Sequence, residues 1–160
     1  MRIAHALRCA ALAAAALAAC GVRAEEPFDA CQVFTQADAE KALGTAAAAE
    51  PVNPKVRRPK VVTTCTYNGV KDGKPVAATV AFRFGRTEPE ARDAFEAARL
   101  DQQTKPMLLD GTDAFWSART GQLNLRKGRT WLVITVGSAK PGDRDDDDAK
   151  KLALILARKI

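Results

Sequence analysis

Residues Val76–Gln103 read VAATVAFRFGRTEPEARDAFEAARLDQQ, and inside this stretch the hydrophobic period changes from two to nearly four. Val76, Ala78, Val80, Phe82 and Phe84 alternate with Ala77, Thr79, Ala81 and Arg83, the pattern of a strand with one face buried. Past Gly85, Thr87 is a helix-capping residue, Pro89 suits a first turn and Glu90 completes a capping box. Ala91, Phe95 and Ala98 then recur on one helical face through about Gln103. A long strand followed directly by a capped amphipathic helix sets the class as mixed, and the flanking sequence decides between α/β and α+β.

Upstream, Val61–Tyr67 is a second strand candidate, joined across the turn residues Asn68-Gly69 and Asp72-Gly73. Before it, Gln36–Leu43 reads as a helix with Thr35 as cap, Asp38 as the acid of a capping-box variant and Gly44 as its stop. Downstream, three short strands are expected at Asp113–Arg119, Gln122–Arg126 and Thr130–Val136, with Thr120-Gly121 and Lys127-Gly128 as hairpin turns. A last helix over about Asp145–Lys159 buries Ala149, Leu152, Ala153 and Leu156, with acids at its start and Arg158 and Lys159 at its end. The order helix, hairpin, helix, meander, helix predicts an α+β domain: an antiparallel five- to six-stranded sheet packed with three helices.

The 160-residue chain opens on Arg2, Arg8 and an apolar run, Cys9–Ala19, which is too short to span a bilayer and fits an export signal. Removing it takes away two bases and no acid, lowering the formal charge from +6 to +4. That mild excess fits solubility or contact with anionic envelope components, and in an exported protein nucleic acid is not an expected partner. Two cuts are chemically sensible. Leu17-Ala18-Ala19-Cys20 resembles the lipobox of bacterial lipoproteins, which implies a signal over 1–19, a diacylglyceryl group on Cys20 and, with Gly21 following, an outer membrane address where one exists. Val22-Arg23-Ala24 instead fits an ordinary secretory site, giving a signal over 1–24 and a soluble periplasmic product. The lipobox is favoured because the apolar run ends at its first position. On that reading 20–30 is a tether and 31–160 a single domain.

Either cut leaves Cys31 and Cys65 as the only thiols available to pair, and in an oxidising compartment such a pair reads as a structural disulfide worth about 3 to 4 kcal/mol. Cys31 with a helix ending Ala42-Leu43-Gly44, then Cys65-Thr66-Tyr67, Gly111-Thr112-Asp113-Ala114-Phe115-Trp116 and Leu123–Gly128 resemble small bacterial exported and lipoprotein domains of PsbP-like fold. The resemblance implies a layer sandwich, the disulfide and the compartment, and carries over no catalytic residue. Many proteins of that group have no assigned activity, and the Asp-rich start of the last helix is not part of the shared pattern.

Outside the signal there is no histidine, only Ser117 and Ser138 as serines, and no thiol beyond the proposed bridge. Histidine-assisted serine or cysteine chemistry is thereby excluded, and no catalytic residue, metal ligand set or cofactor is expected. Asp110 and Asp113 are the nearest carboxylate candidates, read as turn and strand-start residues. Asp143-Arg144-Asp145-Asp146-Asp147-Asp148 fails the EF-hand pattern at its glycine and at its bidentate acid, and reads as acids at a helix start. Pro54–Lys60 is a proline-broken basic loop able to lie along lipid phosphates. If Leu132, Ile134 and Val136 face the core, the opposite sheet face gathers Arg83, Gln122, Asn124, Arg126 and Trp131, a mixture suited to binding a ligand or partner unless a second helix layer covers it. The expected function is a non-enzymatic, lipid-anchored envelope domain that binds a small ligand or an envelope protein. Its alternatives are an enzyme acting on an envelope polymer through carboxylates or lysine, and a soluble periplasmic accessory subunit.

Overall fold

The structure is a computed structural model that describes residues 28–52, 62–102, 104 and 106–160. The signal, Cys20, most of the tether, the basic run Pro54–Lys60, Val61 and Gln103 lie outside the described residues. The fold is α+β. Six antiparallel strands form one sheet: β1 (Val62–Lys71), β2 (Lys74–Phe84), β3 (Pro106–Leu109), β4 (Thr112–Ser117), β5 (Gln122–Lys127) and β6 (Thr130–Gly137), in the order β1-β2-β6-β5-β4-β3. The helices are α1 (Ala30–Val33), α2 (Gln36–Leu43), α3 (Glu88–Asp101) and α4 (Asp146–Ala157), with a single 3-10 turn at Pro141–Asp143.

The alternation seen in Val76–Phe84 holds across the sheet because register puts like beside like. Cys65, Val80, Ile134 and Leu123 form one cross-strand row, and Phe82, Leu132, Leu125 and Ala114 another; all are buried. Against this inner face pack Ala39, Ala42 and Leu43 of α2 and Ala149, Leu152, Ala153 and Leu156 of α4. The Cys31–Cys65 disulfide, with Cα atoms 5.2 Å apart, fastens α1 to the middle of β1. Phe28, Asp29 and Ala30, expected in the tether, belong to the packed domain. Phe28 sits against Phe82 and Phe84, and the fully buried Ala30 donates its N–H to Thr63 Oγ1 at 3.3 Å.

Local signals explain most boundaries. Asp38 accepts from Thr35 N–H and Oγ at 2.9 and 2.7 Å, and Gly44 stops α2 at φ +66°. In α3, Thr87 Oγ1 accepts from Glu90 N–H at 3.3 Å. Gly85 has no room for a side chain, since a Cβ there would lie 2.8 Å from that of Ala91. At the start of α4, Asp145 accepts from Asp147 N–H at 2.8 Å, and Asp146 and Asp148 pair with Lys150 and Lys151 at 2.6 and 2.8 Å. The acid run is thus occupied in starting a helix.

Two expectations change. The first hairpin turns only at Asp72-Gly73, both at positive φ, while Asn68 and Gly69 pair inside β1, so that strand runs four residues further than Tyr67. The other is β3, which was not expected from the sequence: a second Asp-Gly turn, Asp110-Gly111 at φ +51° and +75°, folds Pro106–Leu109 back onto β4. Both sheet edges are protected. Along β1, Ala48 and Val52 donate N–H groups to Asn68 and Thr66 at 2.7 and 2.9 Å. On the other side, β3 is four residues long and begins with a proline that has no N–H to offer.

Candidate functional site

Strand order dictates what happens to the outer face. β2 is second in the sheet and β3 is the far edge, so the connection between them must cross β6, β5 and β4, and α3 makes that crossing. Glu88 lies 3.7 Å from Arg126 at one end of the helix and Asp101 4.0 Å from Arg119 at the other, so α3 lies along β5. Its anchor is small. Phe95 packs on Phe115 and edge-on to Trp131, with centroids 5.0 and 5.9 Å apart, and Ala98 and Val133 border the cluster.

The five residues predicted for this face all lie on it, but α3 separates them. Trp131 is only 8% exposed, its Nε1–H donating to Asn124 Oδ1 at 3.0 Å, and Asn124 is 1% exposed. Arg126 is drawn in by Asp113 and Glu88 and donates to Gly128 O at 3.2 Å. Gln122 is half-buried, and of the five only Arg83 is exposed, its guanidinium 4.6 Å from the Trp131 ring centroid. The expectation of an open face across Trp131 and Asn124 is therefore corrected: those two form the bed on which α3 rests. Asn124 Nδ2 and Ser117 Oγ are buried there with no partner among the described residues.

Between α3 and the β3–β4 hairpin the outer face opens into a groove of about 390 Å³. Phe95 and Pro106 give it apolar walls, Leu108 stands at its lip 70% exposed, and Glu96, Arg99 and Asp113 supply charge. Each carboxylate already has a cation: Glu96 holds Arg99 at 2.7 Å and Asp113 holds Arg126. The arrangement offers an apolar floor with fixed charges beside it, which suits binding an amphipathic group. Sequence reading missed the groove because it missed β3; the legible signal was Leu108-Leu109 directly before Asp110-Gly111, the same hairpin chemistry as Asp72-Gly73. Of the two carboxylates singled out from sequence, Asp110 occupies the turn and Asp113 the groove wall. Comparison with family models, with curated proteins and with solved structures finds no match for this chain.

Proposed function

We propose that this chain is a non-enzymatic domain of the bacterial cell envelope, held to a membrane by a lipid on Cys20, that binds an amphipathic ligand or partner segment in the groove between α3 and β3. The observation that carries the binding reading is the groove itself: apolar walls next to carboxylates that are each neutralised by an arginine within the fold. Such paired carboxylates suit recognition better than acid–base work, which favours binding over the alternative of a carboxylate enzyme. The Cys31–Cys65 bridge supports an oxidising, exported location. Among the described residues no helix is long and apolar enough to cross a membrane, so attachment in this reading depends on the lipid. The resemblance to small exported domains of PsbP-like fold is part of the same proposal.

A photo-crosslinking residue placed at Leu108, at the groove lip, and separately at Val70, which is also well exposed, tests it in the native envelope. A discrete crosslinked species from position 108, absent from 70 and lost when Arg99→Glu is added, is the expected outcome. Identical crosslinking from both positions would remove the groove from consideration.

A further inference from the structure

On the other side of α3 the outer face ends in a corner made by the end of β2 and the turn before β6. Arg83 projects there, and its stacking on Trp131 presets it, because that ring is itself fixed by Phe95 and by the hydrogen bond to Asn124. A stacked guanidinium keeps its N–H edges free for an oxyanion. Arg86 and Arg129 share the corner: Gly85 N–H donates to Arg129 O at 3.0 Å and Arg129 Nη1 donates to Arg86 O at 3.3 Å. Of the nearby acids, Glu90 faces Arg86 within the corner at 3.5 Å and so offsets part of its charge, Glu88 and Asp113 are engaged with Arg126, and among the described residues no acid pairs with Arg83 or Arg129.

The N-terminal chain enters the fold at the same end of the sheet, on its inner face. Phe28 packs 5.1 and 4.8 Å from Phe82 and Phe84, the inward-facing neighbours on either side of Arg83. Only eight peptide units separate Cys20 from Phe28, a reach of at most about 29 Å. The exposed acids Asp143, Asp145 and Asp147 lie at the far end of the sheet, beyond Gly137, where β6 finishes, together with the exposed Lys71, Lys74 and Lys140, and Asp147 is paired with Lys150.

We infer that Arg83, with Arg86 and Arg129, rests on the anionic headgroup phosphates of the bilayer in which Cys20 is anchored, so that the anchor and this corner together orient the domain. The inference depends on the lipoprotein reading. A short tether holds the corner near the surface, where attraction acts within about 8 Å at physiological salt, and the opposite end points away.

The test uses the protein purified with its native N-terminus, reconstituted into phosphatidylcholine vesicles with or without phosphatidylglycerol. An arginine-directed glyoxal is applied and modification is read site by site in peptide mass spectra. With phosphatidylglycerol, Arg83, Arg86 and Arg129 are expected to react about fivefold more slowly, with the contrast lost near 0.5 M salt. Arg119, at the far end beside Asp101, should not change. Equal rates on both vesicles, or equal protection of Arg119, overturns the docking. So does the same protection from inorganic phosphate alone in neutral detergent, which would make the corner a free-phosphate site. The N-terminal peptide separates the two readings: a start at Glu25 removes anchor and docking together, whereas a diacylated Cys20 with unprotected arginines leaves the anchor and removes only the docking.

Discussion

The carboxylate of Asp38 sits where three donors meet: the N–H and hydroxyl of Thr35 and the ammonium of Lys159, which arrives from the last residues of the chain and also reaches Val33 O. Burial by itself raises the pKa of this group, but the hydrogen bonds from Lys159 and Thr35 outweigh it, and the net position is below the ordinary aspartate value. A carboxylate depressed in the folded state contributes stability that is present above its unfolded pKa, near 4, and lost as pH falls through the lower folded value. Asp38→Asn is therefore expected to cost about 1–3 kcal/mol at neutral pH. It should also shrink the difference in melting temperature between pH 6 and pH 3 relative to wild type. An unchanged acid limb would show that other carboxylates govern it.

Among the three longer helices, α3 has the least support. It buries only Ala91 and Phe95, whereas α4 buries five of its residues in the main core. The aromatic contact of Phe95 with Phe115 and Trp131 thus holds most of the outer layer, and Phe95→Ala removes both of its ring contacts and leaves a cavity worth about 3–5 kcal/mol. The expected signature is local. Hydrogen exchange should accelerate in Glu88–Asp101 while Asp146–Ala157 keeps its protection, and Trp131 emission should shift to the red as its cover loosens. Uniform acceleration of α3 and α4 would mean that the two layers unfold as one unit.

At the scale of the whole molecule, the disulfide and the strand order act together. Cys31 and Cys65 are 34 positions apart, and their bridge fixes the opening turn of chain to a strand whose partner, β2, leads into the outer layer. Replacing both cysteines by alanine is expected to lower stability by about 3–4 kcal/mol, read as a shifted urea midpoint with native-like circular dichroism below it. A midpoint within error of wild type would make the bridge incidental to the fold.

Repeating chemistry made much of this architecture legible. Alternation in Val76–Phe84, the capping residues Thr35 with Asp38 and Thr87 with Glu90, and the acid start of α4 are local preferences that the fold satisfies almost where they occur. The sheet face carrying Arg83, Gln122, Asn124, Arg126 and Trp131 followed from the period of two, and register kept it. Periodicity says which residues share a face and nothing about what lies above it. That α3 crosses over Trp131 and Asn124 and that Asp113 turns from a turn-proximal acid into the wall of a groove both depend on β2 pairing with β6 rather than with β3. Strand order is a choice among long-range pairings of similar local quality, decided by the packing of the whole core, so only the tertiary structure decided it.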